Sequence, residues 1–282
     1  MVKHVITLSS VENLWKAQIM MSRYRIKKIV VTQSRKHPIG IVTLKDIIRF
    51  LINDKTDRDL DQIPICEAMT RNLITATKNS TITECAKTLT TNSISSLVIV
   101  EDDNDNLAGI ITLTDFANFF SENCIGFASV KDYMSRSFFT ISMKENVSNA
   151  QIMSGKKVSR LIVVDPDNQN KLAGIISETD ISRTVPTFKS KTIRSVYENM
   201  ELMFSSKSKP DFIKPSFVRI EDIITGNIIT IGEDADLADA AKIMIKQGIG
   251  GLPVIGARDN LEQPIGVISK SDIVKALVIN KV

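Results

Sequence analysis

Short apolar runs of strand type punctuate this chain at regular intervals. Ile29-Val30-Val31, Leu97-Val98-Ile99-Val100, Leu161-Ile162-Val163-Val164 and Leu252-Pro253-Val254-Ile255 are too short for helices and rich in β-branched residues. Each is followed by a second run that ends in one polar signature. The copies read Gly40-Ile41-Val42-Thr43-Leu44-Lys45-Asp46, Gly109-Ile110-Ile111-Thr112-Leu113-Thr114-Asp115, Gly174-Ile175-Ile176-Ser177-Glu178-Thr179-Asp180 and Gly266-Val267-Ile268-Ser269-Lys270-Ser271-Asp272. A third run lies upstream and closes on threonine: Val5-Ile6-Thr7, Leu73-Ile74-Thr75, Phe138-Phe139-Thr140 and Ile228-Ile229-Thr230. The Thr-to-Asp separations are 39, 40, 40 and 42 residues, so one supersecondary unit is repeated four times.

Helical periodicity fills the gaps. Leu237, Ala240, Ala241, Met244 and Ile245 follow the i, i+3, i+4, i+7, i+8 pattern. Val11, Leu14 and Trp15 keep a shorter face, and Trp15, Met20 and Met21 read as core. Asp102–Asn106 and Asp165–Asn168 are turn chemistry between strands and predict hairpins. The Thr/Ser-x-x-Asp then opens another amphipathic stretch. Each repeat therefore predicts strand, helix, strand, strand, helix. A repeat this small cannot cover both faces of its sheet, so pairing of repeats is expected. The divisions fall at 1–62, 63–126, 127–184 and 216–282, with an insert over 185–215. In the insert Ile193, Val196, Tyr197, Met200, Met203 and Phe204 share one face and predict a helix over 193–204. Its six Lys and Arg residues outnumber Glu198, Glu201 and Asp211.

Composition narrows the function. At 282 residues, 43% hydrophobic and 24% charged, the chain is ordinary for a folded protein and excludes dominant disorder. No apolar run approaches the ~18–20 residues that span a bilayer, so a cytoplasmic protein is expected. A net charge of +4 is compatible with anionic ligands but falls short of a committed nucleic-acid binder. Cys66, Cys85, Cys124, His4 and His37 show no metal-ligand spacing, and buried reduced thiols are expected. No phosphate loop, paired acids or metal cluster appears, so no enzyme is expected. The repeats consume the chain, which makes any regulated partner a separate protein.

The recurring threonine, the apolar second strand and the Gly-x-x-[Thr/Ser]-x-x-Asp segment together resemble the CBS domain family, named for cystathionine β-synthase. The resemblance covers the chain apart from the insert. It implies an α/β fold in which two repeats pair by their sheets into a Bateman module, and two modules stack into a disc. It also implies adenosyl ligands in the clefts: AMP, ADP, ATP or S-adenosylmethionine. By resemblance Asp46, Asp115, Asp180 and Asp272 take ribose hydroxyls. Thr43, Thr112, Ser177 and Ser269 stand at the helix entrance and suit phosphate, with Thr114, Thr179 and Ser271 as further donors. Lys28 and Arg160 stand where the family places phosphate cations. Ile6, Ile74, Phe139 and Ile229 would hold adenine. Repeat three, with Arg160, and repeat one, with Lys28, are expected to take the phosphorylated ligands.

The same Thr/Ser-x-x-Asp is also a capping box, with the hydroxyl at N-cap and the acid at N3. Four capping boxes would give the same motifs without a ligand. The leading expectation is an adenine-nucleotide sensor that regulates a separate protein, with a homodimer allowed. The alternatives are a nucleic-acid binder, motivated by the basic insert, and a scaffold with empty clefts.

Overall fold

The computed structural model describes residues 1–33, 36–54, 56, 58–103, 105–150, 160–168, 171–177, 180, 219–224, 228–256 and 263–279. The insert, its expected helix and Thr179 lie outside the described residues. Repeat one comprises β1 (Thr7–Ser9), α1 (Leu14–Arg23), β2 (Lys28–Thr32), β3 (Pro38–Thr43) and α2 (Leu44–Asn53). After a short helix α3 (Ile65–Ala68), repeat two comprises β4 (Thr75–Thr77), α4 (Ile82–Thr91), β5 (Ser96–Val100), β6 (Leu107–Thr112) and α5 (Leu113–Asn123). Repeat three is preceded by α6 (Val130–Tyr133). It shows β7 (Thr140–Ser142), α7 (Val147–Ala150), β8 (Arg160–Asp165) and β9 (Lys171–Ser177). A 3-10 turn over Ile220–Asp222 leads into β10 (Ile231–Gly232), α8 (Leu237–Lys246), β11 (Gly251–Ile255), β12 (Pro264–Ser269) and α9 (Lys270–Ile279).

Each repeat carries its own three-stranded sheet. The first strand runs parallel to the second, as its helical crossover requires. The hairpin then returns the third strand antiparallel. The hairpin register fixes the signature hydroxyl opposite the first residue of the middle strand. The pairs are Lys28 with Thr43, Ser96 with Thr112, Arg160 with Ser177 and Gly251 with Ser269.

The sheets pair as the sequence predicts. Val30 of repeat one meets Val98, Val100 and Ile110 of repeat two. Ile162, Val164 and Leu172 of repeat three pack with Val267 of repeat four. The two modules then join through α4, α5, α8 and α9. Phe116, Phe120, Leu89, Met244 and Leu277 interdigitate there with Ala86, Ala117, Ala240, Ala241 and Ala276. Burying this seam is favourable at roughly 25 cal/mol per Å² of apolar surface.

Segments are also exchanged within modules. Val2 bridges to Ile110, Thr70 to Ile41 and Ser135 to Val267. These crossings explain the recurring glycines of the signature. A Cβ on Gly40, Gly109 or Gly266 would stand 2.7–2.8 Å from the sulfur of Met69, Met1 or Met134. At Gly174 the neighbour is Ile224, at an ordinary 3.5 Å.

Some expectations need correction. Val11 precedes α1 and is 80% exposed, so the first helix takes its face from Leu14, Ala17 and Met21 instead. Ile6, Ile74, Phe139 and Ile229 stand just ahead of the first strands rather than in them. Cys85 and Cys124 are buried, but Cys66 is only half-buried. Among the described residues no helix is long and apolar enough to cross a membrane.

Candidate ligand cleft

The capping reading of the four signatures holds in every repeat. Oδ2 of Asp46 accepts from the Thr43 amide at 3.0 Å and from its hydroxyl at 2.6 Å. Asp115 repeats this on Thr112 at 2.8 and 2.7 Å. Asp180 does so on Ser177 at 2.9 and 2.5 Å, and Asp272 on Ser269 at 3.0 and 2.6 Å. One carboxylate oxygen is thereby committed to the helix start, leaving Oδ1 to face other groups. Around it Asp46 has Arg49 at 3.8 Å, Asp115 the Met1 ammonium at 3.5 Å and Asp272 the Lys275 ammonium at 2.8 Å. The capping role does not preclude a ligand, since a carboxylate accepts at two oxygens.

Six of the sequence-predicted residues line one cavity of about 590 Å³, and Asp46, Asp115, Asp180, Asp272, Ser177 and Ser269 are not among them. Ile6, Lys28 and Thr43 of repeat one line it, with Thr112 and Thr114 of repeat two. Arg160 of repeat three reaches it from the other module. The cavity also collects Ser95 and two residues that sequence reasoning passed over, Arg25 and Lys270. Lys270 comes from repeat four and donates to the Thr114 hydroxyl across the module boundary at 3.1 Å. Its ordinal position in the signature was visible, but only module stacking brings it here. Ile74 and Ile229 instead pack on the helical seam, and Phe139 is 46% exposed. Ser271 is exposed.

The cavity is strongly cationic. Arg25, Lys27, Lys28, Lys45, Arg160 and Lys270 line it, and among the described residues no Asp or Glu does. Lys28 donates to Ser95 of the paired repeat at 2.9 Å. Burial, assisted by Lys27, lowers its pKa to about 8. Burial also lowers Lys270, and Lys27 and Arg160 add to that effect. The Arg160 guanidinium lies against the Gly250-Gly251 backbone; a Cβ at Gly251 would stand 2.9 Å from its Nε. Burial lowers its pKa, whereas Asp272 and Asp180 oppose the shift. Cations therefore cross each module axis toward small residues: Lys28 to Ser95, Arg160 to Gly250. An assignment of phosphate cations repeat by repeat does not describe this geometry. Arg25 holds a left-handed φ of 52°, a cost that its glycine counterpart Gly248 escapes. Among the described residues no group of three or more His, Cys, Asp or Glu could hold a metal.

The CBS domain profile matches residues 1–53, 64–122, 130–186 and 220–279. The chain belongs to the CBS domain family. A relative of similar length is the uncharacterised protein MJ1225 of Methanocaldococcus jannaschii. It is 26% identical over 286 aligned positions, covering 97% of this chain and 95% of that protein. The crystal structure of MJ1225, described as a proposed archaeal homologue of g-AMPK, superposes with a TM-score of 0.77 and 25% identity. That match covers 98% of this chain and 96% of the other. A conserved protein from Pyrococcus horikoshii shares the fold at a TM-score of 0.63 and 19% identity, covering 99% and 97% of the two chains. Inosine-5'-monophosphate dehydrogenase of Staphylococcus aureus is 26% identical over 250 positions, spanning 86% of this chain but 41% of that enzyme.

Proposed function

We propose that this protein is a regulatory sensor whose first module binds an adenosyl polyphosphate and that ligand occupancy is communicated to a separate protein. The observation that carries the reading is the composition of the cavity. Apolar residues such as Ile6, Val30 and Ile110 line it together with six cations, and among the described residues no acid does. A flat base suits the apolar lining and a polyphosphate suits the cations. The family resemblance supplies the adenosyl class, and the likeness to MJ1225 supports a kinase-γ-like role. The hydroxyls of Thr43 and Thr112, held by Asp46 and Asp115, line the cavity and are proposed to contact the ligand. Lys28, Lys27, Arg160 and Lys270 are proposed to hold phosphate.

Ligand charge ranks the candidates. ATP should bind more tightly than ADP, and ADP more tightly than AMP, because each phosphate relieves repulsion among Lys27, Lys270 and Arg160. S-adenosylmethionine carries a sulfonium cation and should bind worst. Calorimetric titration of the four ligands on the parent and on Lys28→Met checks this order. A charge-assisted phosphate contact contributes about 1.5–3 kcal/mol, so the variant should lose roughly tenfold or more in ATP affinity. Equal affinity for all four ligands would reject the reading. Salt-sensitive binding of short RNA without nucleotide binding would favour the nucleic-acid alternative instead.

A further inference from the structure

Lys28 is placed more firmly than most lysines. It opens β2 and pairs with Thr43 of β3, so its stem leaves a strand rather than a loop. Its ammonium crosses the module axis and donates to the Ser95 hydroxyl at 2.9 Å. That partner is neutral, and among the described residues no Asp or Glu lines the cleft. The charged or titratable groups that line it with Lys28 are His4, Arg25, Lys27 and Lys45 of repeat one, with Arg160 and Lys270 of repeats three and four.

The cations bear on one another. Lys27 acts on Lys28 and on Lys270, and Arg160 acts on Lys270 as well. A bound anion relieves this repulsion from outside. A covalent change at Lys28 would relieve it from within, provided that it turned the cation into an anion. Addition of carbon dioxide to the amine does so in one step.

We infer that Lys28 is a carbon dioxide acceptor whose carbamate is held in the cleft by Lys27, Lys270 and Arg160. The neutral Nζ attacks the carbon and a new N–C bond forms. One C=O π pair moves onto oxygen, and the proton released from nitrogen goes to solvent. Nothing is oxidised or reduced, and no group leaves. The remaining N–H still donates to Ser95. The side chain has changed from a cation into an anion, which now attracts the neighbours that it repelled.

The site favours both reactant and product. Burial, assisted by Lys27, brings the pKa of Lys28 to about 8. At pH 8 about half of its amines are neutral, against roughly one in three hundred for a lysine at the ordinary 10.5. Carbon dioxide is small and uncharged, so it passes Ile26, Val30 and Ile110 without the desolvation cost of an ion. Exposed Lys16 makes the contrast. It pairs with Glu12 at 2.7 Å, and that carboxylate would repel a carbamate.

The inference concerns the cleft proposed for a nucleotide but does not need one, so its test uses the full chain without nucleotide. The protein is equilibrated with isotope-labelled bicarbonate at pH 8, and carbamates are ethylated with triethyloxonium and located by peptide mass spectrometry. Label on Lys28 should exceed that on Lys16 by at least about tenfold, as their neutral fractions dictate. Lys27→Ala should lower it several-fold, because the Lys28 amine regains its proton and the carbamate loses a cation. Lys28→Arg should abolish both the trapped product and the carbamate carbon resonance of the untreated protein. Equal label on Lys28 and Lys16 overturns the inference. Label on Lys28 that Lys27→Ala leaves unchanged also overturns it, because the neighbouring cations then hold nothing. A bound-bicarbonate resonance without trapped product would show a simple anion site and overturn the carbamate. None of these outcomes depends on nucleotide affinity, which the titrations of ATP and its analogues measure separately.

Discussion

The two modules place a long cation at the same register position and give it different company. In the first module Lys28 crosses to Ser95, has Lys27 beside it, and is held at a pKa of about 8. In the second, Arg160 lies on Gly250 and Gly251, with Asp272 and Asp180 opposing the effect of its burial. Arginine keeps its charge and matches carboxylates through a rigid fork, whereas lysine is a point charge that loses its proton readily when buried. The second module thus compensates its cation from within. Beside Lys28 the first module instead places a second cation, Lys27.

The sharpest way to break this contrast is to crowd the glycine side. Gly251→Val should destabilise the protein by about 1–3 kcal/mol in urea unfolding. The added Cβ meets both Arg160 and the Ile268 carbonyl at 2.9 Å. Arg160→Ser should recover only part of that loss, since the Ile268 carbonyl cannot retreat. Ser96→Val, at the matching position of the first module, should cost less.

The two cations should also differ in sign when removed. Lys28→Met should stabilise the ligand-free protein at pH 7 by on the order of 2 kcal/mol, because a buried, uncompensated charge disappears. Arg160→Met should destabilise it, because the favourable field between Arg160 and the Asp180 and Asp272 carboxylates is lost. The pH dependence follows from Lys28. Its folded pKa of about 8 lies below the unfolded value of 10.5, so the unfolded chain holds more protons between them. Stability of the ligand-free parent should therefore rise from pH 8 to pH 10.5, with the penalty fully present below pH 8. Lys28→Met should lack that rise in denaturation midpoints measured across the range.

Much of the fold was legible, because hydrophobic period and turn chemistry act locally. The four signatures located the hairpins, the helix starts and the pairing of repeats. Met1, Met69, Met134 and Ile224 each stand six residues ahead of a repeat's threonine, a periodic signal that the sequence reading overlooked. Its three methionines account for Gly40, Gly109 and Gly266, whereas Ile224 leaves room at Gly174. The ligand cleft was less legible. Lys28 and Arg160 were found as cations, but their reach across the module axes depends on small partners at Ser95 and Gly250. Lys270 enters only because α4, α5, α8 and α9 lock repeat two to repeat four. No local pattern encodes that stacking.

Smaller contrasts sharpen the account. Gly40→Ala should cost about 1 kcal/mol, because its Cβ meets the Thr70 carbonyl at 3.0 Å as well as Met69. Gly174→Ala should be near neutral, since Ile224 stands at 3.5 Å. The smallest effect belongs to Arg25→Gly. Relief of the left-handed backbone should raise Tm slightly, by no more than about 1 kcal/mol of stability, while ATP affinity falls with the lost cation.

The central claim is that the first module's cleft takes a polyphosphate through Lys28. It is tested most directly by calorimetric titration of ATP at pH 7 and pH 9.5 on the parent and on Lys28→Met. The parent should lose up to about tenfold in affinity per pH unit above 8, with protons taken up on binding, because the anion restores the charge of Lys28. Lys28→Met should bind weakly at both pH values with little difference between them. Parallel pH profiles for the two proteins would contradict the account.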